Sequence, residues 1–293
     1  MMKGIVFMIA AMMQMFAEEP LKEETVFDLE FDEIEIPDGG RCQIQFYITP
    51  LDGFDAVGVD WGDGTVQDWP SSQYTMWHNW TAPGRYRVKL DRRLKWFRFT
   101  ECWTTADSRT YASRPLLRPI QWGDYVESAQ GTYSGWNSTR EGRGIRGPVI
   151  PWGKSIKTTF CCYERDKYLT GTFPKWGPKV TDCTGTYQYC TGLGGEIPEW
   201  PAKATAGDSC YTATGATGVI PAWPETMTSA RMCYQECAGL TGAWTDDPAL
   251  LMPERMNGQQ GLVTDHDDVV KDASDAIRAL FYEDWGGTRA RPE

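Results

Sequence analysis

The first third of the chain alternates apolar and polar residues with a period of two. Phe27, Leu29 and Phe31 are separated by acidic residues, and the alternation is still present at Val88. A strand with one buried face has this period, and the Gly, Pro and Asp residues between the runs are typical of turns. The pattern therefore predicts an antiparallel β-sandwich over residues 26–105.

The middle of the chain repeats two aromatic positions at a nearly constant interval. Successive Trp residues are 30, 24, 24, 23 and 21 positions apart, and successive Tyr residues 30, 24, 24 and 23. Because the two sets of residues recur at the same intervals, they predict tandem repeats of about 24 residues, which we assign to residues 112–254. The columns are Trp122, Trp152, Trp176, Trp200, Trp223 and Trp244, and Tyr133, Tyr163, Tyr187, Tyr211 and Tyr234.

Other positions of the repeat also recur. Leu-Thr-Gly at 169–171 is followed by Phe-Pro-Lys-Trp at 173–176, and related tetrapeptides lie at 197–200 and 220–223. The rest of the unit consists of polar or small residues. One unit cannot bury its own apolar side, whereas stacked copies can. We therefore expect a mostly β protein whose sandwich is followed by a repeat solenoid.

Two motifs lie inside the predicted sandwich. They are Val-Asp-Trp-Gly-Asp-Gly-Thr at 59–65 and a segment from His78 to Val88 that contains Pro-Gly before a strand. The pair resembles the signature of the PKD-type immunoglobulin-like domain. Asp60 and Asp63 can accept hydrogen bonds from turn amides, and the glycines can take positive φ. Trp80 stands where the family usually has Tyr. The resemblance implies a β-sandwich that serves as a spacer or interaction module.

The repeats resemble leucine-rich repeats, and specifically the BspA-like repeats of bacterial surface proteins. The shared features are the Leu-Thr-Gly-x-Ile-Pro core and the spacing Tyr-x-x-Cys-x-x-Leu. A PKD-like sandwich followed by such repeats is an arrangement that we associate with this family. The strand position departs from the family pattern, because it carries Pro and Trp instead of Leu-x-Leu.

The two ends of the chain have different patterns. Residues 1–17 resemble a secretory signal peptide, with Lys3 before a short apolar run, although a buried N-terminal helix or strand is the alternative. Residues 18–25 are predicted to be an acidic tether. Residues 255–293 are predicted to form a helical cap, because a capping box at 264–267 precedes apolar residues at helical spacing.

Charge and cysteine content limit the possible partners. The formal net charge of −11 argues against nucleic acid, which requires a basic surface. Seven of the nine Cys residues fall within the repeats, where their regular placement indicates packing, although Cys210 and Cys233 could form a disulfide. The spacing does not match a zinc site. The N-terminal apolar run is too short for a membrane span, which needs about 20 residues, and we expect no other segment to cross a membrane.

No enzyme motif is present, so we predict no catalytic residue, cofactor or metal, although a glycosidase based on two carboxylates remains an alternative. The first hypothesis is a secreted or cell-surface adhesion protein that presents a solenoid face to a protein or glycan ligand. A structural or host-recognition protein of a phage virion is the alternative. A third hypothesis is carbohydrate binding by the Trp column, which otherwise packs beside Pro. The candidate residues are Trp152, Trp176, Trp200 and Trp223 for the ligand, and Asp60 and Asp63 for the structural turn.

Overall fold

A computed structural model describes residues 22–104 except 34, 37 and 38, residues 114–135, and residues 144–240 except 231 and 238. The predicted signal peptide and C-terminal capping helix lie outside these residues. The described part is mostly β, with several sheets and no α-helix. Its strands are β1 (Thr25–Phe31), β2 (Cys42–Pro50), β3 (Ala56–Asp60), β4 (Val66–Pro70), β5 (Thr75–Trp80), β6 (Gly84–Leu90), β7 (Leu94–Thr104), β8 (Leu116–Gln121), β9 (Gly144–Ile145), β10 (Gly147–Pro148), β11 (Leu169–Thr172), β12 (Leu193–Glu196) and β13 (Gly215–Thr217).

Two sheets pack face to face in the N-terminal part. One has the strand order β5-β2-β7, and the other has the order β4-β3-β6-β1-β8-β9. The alternation read from the sequence directs one side of each strand inward, so that Ile44, Phe46 and Ile48 of β2 are buried. Phe27 of β1 joins the layers, with its ring centroid 6.0 Å from that of Phe46 and 5.9 Å from that of Phe97. The N-terminal part is therefore a β-sandwich, here called the sandwich.

Equivalent positions of successive repeats lie side by side in the C-terminal part, residues 122–240, here called the parallel stack. Strands β10, β11, β12 and β13 form a parallel sheet. On the other side, parallel bridges connect Ser128, Thr158, Asp182, Ala206 and Ser229 in that order. These pairings match the interval of the aromatic columns.

The sandwich continues into the stack without a break. At the edge of β7, Glu127 N donates to Lys95 O at 3.0 Å, and Phe99 N donates to Thr132 O at 3.2 Å. Strand β8 lies within the range that we assigned to the repeats, yet it pairs antiparallel with β1 and parallel with β9. The buried side chains of both parts belong to one hydrophobic cluster. The sandwich thus covers the first repeat.

Each described repeat has two residues with a left-handed backbone, two positions before and two positions after the column Tyr. Alternating right- and left-handed residues bring several N–H groups to one side of the backbone. Here they donate to the next repeat, as in Tyr163 N to Thr186 O at 3.0 Å and Tyr187 N to Cys210 O at 2.9 Å. The left-handed residues are Gly131, Cys161, Gly185, Ser209 and Met232 before the Tyr, and Gly135, Arg165, Tyr189, Ala213 and Glu236 after it.

The segment between the Trp and Tyr columns is more ordered than its polar or small composition suggested. A buried apolar column crosses it at Val126, Ile156, Val180, Ala204 and Met227. Each of these residues closes a turn, as when Val180 N donates to Gly177 O at 3.2 Å. Two residues further on, side chains accept hydrogen bonds from nearby amides, with Thr184 N donating to Asp182 Oδ1 at 3.0 Å.

Candidate ligand-binding surface

The four Trp residues that we predicted as ligand contacts lie in a stacked column. The centroids of Trp152 and Trp176 are 5.9 Å apart at an interplanar angle of 6°, and those of Trp200 and Trp223 are 5.0 Å apart at 25°. Trp152, Trp200 and Trp223 are 7–9% exposed. Their rings cover one another, so the geometry favours the packing role over contact with a sugar.

Asp60 and Asp63 organise the turn that the sequence indicated. Gly62 N donates to Asp60 Oδ1 at 2.9 Å, and Thr65 N donates to Asp63 Oδ1 at 3.0 Å. The other oxygen of Asp63 lies 2.7 Å from His78 Nε2. Burial acts to raise the pKa of Asp63, but the hydrogen bonds from His78 and Thr65 outweigh it and lower this pKa. Both carboxylates therefore have structural partners.

The His78 ring is held between aromatic neighbours. It stacks on Trp61 at a centroid distance of 4.6 Å and meets the edge of Trp80 at 4.7 Å. Trp80 thus completes a structural cluster around the His78 ring. These ring contacts and the hydrogen bond to Asp63 give His78 a structural role beside the turn.

Burial disfavours the charged forms of several ionisable groups in the stack. Burial raises the pKa of the Cys190, Cys210 and Cys233 thiols and of the Asp166 carboxyl well above their ordinary values. Cys190 Sγ donates to Tyr163 O at 2.8 Å, so the thiol satisfies a backbone carbonyl. These thiols have no thiolate character and are not suited to nucleophilic chemistry.

A polar groove of about 390 Å³ lies on the sandwich between Glu24, Asp68, Lys89 and Asp91. Its charges are already paired, because Arg93 contacts both Asp68 and Asp91, and Lys89 Nζ lies 3.6 Å from Glu24. In the described part of the chain, no three His, Cys, Asp or Glu side chains are arranged to hold a metal ion. The groove is therefore a weaker candidate for a ligand site.

Four aromatic side chains lie together on the outer side of the three-stranded sheet. We call this surface the aromatic face and define it by Tyr47, Tyr74, Trp77 and Trp96. Tyr74 and Trp77 are 54% and 46% exposed. The centroid of Tyr74 is 4.8 Å from that of Tyr47 and 6.3 Å from that of Trp96. Aromatic surface that remains in contact with water is typical of a binding site.

Hydrogen bonds and ring contacts hold two of these indoles in place. Trp96 Nε1 donates to Gln130 O of the first repeat at 2.7 Å. Trp77 packs against the edge of Trp69 at 5.3 Å, and Trp69 Nε1 in turn donates to Gln73 O at 3.0 Å. The positions of the exposed rings are thus fixed by the sandwich on one side and by the stack on the other.

Polar side chains with both donors and acceptors flank the aromatic face. Gln43 Nε2 donates to Asn79 Oδ1 at 3.1 Å, and Gln45 lies opposite Trp77 in the register of β2 and β5. Arg98 lies opposite Tyr47 in the register of β2 and β7. The surface therefore combines rings, amides and one guanidinium without a deep cavity.

Sequence reasoning missed the aromatic face, although a signal was present. Tyr47, Trp77 and Trp96 occupy the polar phase of alternating strands, where a side chain points to solvent. Aromatic residues in that phase are a usable indication of binding.

Comparisons with protein-family models, curated proteins and solved structures give no match to this chain. Among the described residues, no helix is long and apolar enough to cross a membrane. The function is therefore inferred from the geometry described above.

Proposed function

We propose that this chain is a non-enzymatic binding protein of the cell exterior, and that its ligand binds at the aromatic face. The single observation that carries the proposal is the exposure of Tyr74, in ring contact with Tyr47 and Trp96, and of Trp77 on the same sheet. Most other large aromatic side chains of the described part are buried, so this exposed group requires an explanation other than packing.

In this proposal the sandwich is a PKD-like domain and the parallel stack is a BspA-like solenoid. The turn at Asp60 and Asp63 supports the first assignment, and the aligned Trp and Tyr columns support the second. The C-terminal helix predicted from the sequence would cover the last repeat. The shared core makes a rigid support, which presents the aromatic face without loss of order on binding.

Location and binding can be tested separately. Peptide mass spectrometry of protein from its native source should find a mature N-terminus close to Glu18. An intact Met1 in purified virus particles would contradict export and favour the virion role.

For binding, the fluorescently labelled full chain should be retained on cells of the source organism. The Tyr74→Ala/Trp77→Ala variant should lose most of this retention, because it removes the exposed rings. The Val66→Ala/Val219→Ala variant is the control, because these side chains are 71% and 63% exposed and lie outside the aromatic face. Equal retention of both variants would refute the proposed surface.

A further inference from the structure

The chemistry of the aromatic face indicates which class of ligand it binds. We infer that the aromatic face binds a neutral glycan chain, and this inference rests on the proposed function. The argument depends on the exposed rings, on the amides beside them and on the low charge of the surface.

The rings provide apolar contact that suits one side of a sugar. A pyranose ring carries C–H groups on its faces and hydroxyl groups around its rim, so its face packs on an aromatic ring. Tyr74 and Trp77 offer about half of their surface to solvent, and both are anchored through neighbouring rings. Rigid aromatic residues provide such contact at a low cost in conformational entropy.

The amides suit the hydroxyl rim. A hydroxyl group both donates and accepts a hydrogen bond, and so does the side-chain amide of Gln or Asn. Gln45 lies directly beside Trp77, and the Gln43–Asn79 pair lies on the next rung of the same strands. A sugar packed on Trp77 would thus have amide partners within the same sheet.

The charge of the surface indicates a neutral ligand. By the register of the strands, the outward positions of the three-stranded sheet include two charged residues of opposite sign, Arg98 opposite Tyr47 and Glu101 opposite Gln45. Their formal charges cancel, and the other outward positions of β2 and β5 are uncharged. A phosphate-rich or sulfated polymer requires a cluster of cations, which this face does not provide.

The shape of the surface favours an extended chain over a small molecule. The rings lie along a sheet face rather than inside a cavity, and small ligands bind mostly in concave pockets. Beyond Trp96 the main chain of the first two repeats follows, since Trp96 Nε1 donates to Gln130 O and Gly131 N donates to Phe160 O at 2.8 Å. Phe160 is 38% exposed, so the apolar surface extends onto the stack.

The test uses chemically treated cells of the source organism and the full-length chain. Periodate cleaves sugars at vicinal diols, whereas protease removes surface proteins. Periodate treatment should reduce retention of the labelled chain at least about tenfold, which is 1.4 kcal/mol in binding, and protease treatment should leave it unchanged. Soluble neutral oligosaccharides, namely cellohexaose, chitohexaose and a mannan fragment, should compete with untreated cells for binding of the labelled chain.

The variants connect the result to the site. Tyr74→Ala/Trp77→Ala should lose retention and competition together, and Gln45→Ala should weaken both because it removes an amide beside Trp77. Val66→Ala/Val219→Ala should behave as the wild type. Thermal unfolding of each variant checks that the fold is kept, as expected for exposed positions.

The outcomes distinguish the glycan inference from the proposed function. Retention that survives periodate but not protease would overturn the glycan inference and would leave a protein-binding function at the same face. Competition by heparin alone would also overturn it, because binding would then depend on charge. Absence of retention on any cells would refute the proposed function as well.

A second inference rests on a different observation in the sandwich core. Cys42 Sγ of β2 and Cys102 Sγ of β7 lie 3.3 Å apart, and both side chains are buried. We propose that these two residues form a disulfide under oxidising conditions. Each thiol loses one proton and one electron. The two protons and two electrons reduce one molecule of a disulfide oxidant, such as oxidised glutathione, to two thiols.

The test is refolding of the full chain in a glutathione buffer, followed by alkylation in denaturant without reductant. The chain has nine Cys, so one disulfide leaves 9 − 2 = 7 thiols labelled, and digestion should yield a peptide in which Cys42 is linked to Cys102. The Cys42→Ser variant should show all eight remaining thiols. Nine labelled thiols in the wild type, or a Cys210–Cys233 link instead, would overturn the inference.

Discussion

The sandwich and the parallel stack share one core but are stabilised in different ways. In the sandwich, each contact occurs once: Phe27 joins the two sheets, and Asp28 pairs with two arginines across strands. In the stack, the same contact recurs in each repeat, as when Tyr163 and Tyr187 stack at 6.1 Å and Tyr211 and Tyr234 at 5.8 Å. The stability of the stack is therefore about a sum of terms from the individual repeats and from the contacts between neighbouring repeats.

The sandwich and the stack also differ in the direction of their aromatic side chains. The stack directs the Trp and Tyr side chains of its two columns inward, where they cover one another. The sandwich directs one set of aromatic residues outward on β2, β5 and β7. The surface of a repeat array presents the same contact many times. The aromatic face of the sandwich instead combines aromatic rings and side-chain amides at one place. The stack therefore serves as the support and the sandwich carries the candidate site.

The largest expected effect is the loss of a column Tyr. Tyr211→Ala should lower the free energy of unfolding by ~3–5 kcal/mol, because it opens a cavity between two stacked rings. Urea denaturation followed by far-ultraviolet circular dichroism and by Trp fluorescence measures this change. Because the core is continuous, both signals should shift together, and two separate transitions would contradict the shared core.

Tyr211→Phe is the matched control for that variant. The Tyr211 hydroxyl is buried without a hydrogen-bond partner, so its removal should leave stability unchanged or raise it slightly. A large decrease in the free energy of unfolding of Tyr211→Phe would show that the hydroxyl has a hydrogen-bond partner. The column would then be stabilised by more than the packing of its rings.

The next effect tests the unique turn of the sandwich. Gly62→Ala should destabilise by ~2–4 kcal/mol, because Gly62 has a φ of 77° and a Cβ would lie 2.6 Å from Arg87 N and O. Gly64→Ala is the control: its φ is 91°, but a Cβ would meet nothing within 4 Å, so only ~1 kcal/mol of backbone strain is expected. Thermal unfolding compares the stability of Gly62→Ala and Gly64→Ala. Equal losses of stability would show that the close approach to Arg87 is unimportant.

A third effect depends on pH. Asp28 is 1% exposed and accepts hydrogen bonds from Arg85 Nε and Arg87 Nε, both at 2.9 Å. Burial acts to raise the pKa of Asp28, but the two arginines outweigh it and lower this pKa. Asp28→Asn should therefore cost ~1.5–3 kcal/mol at pH 7.

The sign of the pH dependence follows from linkage. A carboxyl with a lowered folded-state pKa contributes stability above its unfolded pKa of about 3.9, and this contribution is lost as the pH falls towards the folded pKa. Urea denaturation should find that the difference between wild type and Asp28→Asn shrinks below about pH 4. A difference that stays constant down to pH 2 would exclude the charged pair as its cause.

The smallest effect is a gain within the stack. Ala213 has a φ of 54°, so Ala213→Gly should stabilise by about 0.5–1 kcal/mol through relief of strain, less the entropy cost of glycine. Gly185→Ala is the opposing control, because its φ is 61° and a Cβ would lie 2.8 Å from Cys161 Sγ. The midpoints of thermal unfolding of the two variants should shift in opposite directions. A lower midpoint for Ala213→Gly would mean that the Ala213 side chain stabilises the fold by more than its backbone strain destabilises it.

Local patterns in the sequence predicted several parts of the fold. Alternation located the strands of the sandwich, since a strand exposes and buries successive residues. The spacing of Trp and Tyr located the neighbours in the stack, since equivalent positions pair in parallel. Asp60, Asp63 and their glycines indicated the turn because its chemistry lies within seven residues.

Other features depend on contacts between distant parts of the chain. The sequence did not show that β8 pairs with β1, or that Cys42 lies beside Cys102, because those contacts join residues about 60 to 90 positions apart. The left-handed backbone of Arg165 was also hidden, because it accompanies a hydrogen bond from Arg165 N to Gln188 O of the next repeat, at a residue type that does not favour this conformation.

The sequence by itself determined the periodicity, the local turn and the excess of aromatic residues. Only the tertiary structure decided which of those aromatic residues meet the solvent. A Trp in a repeat and a Trp in a strand are equally apolar, and their exposure depends on which side chains pack beside them. Trp200 is covered by the rings of adjacent repeats, whereas Trp77 lies on a sheet face that no described neighbour covers completely.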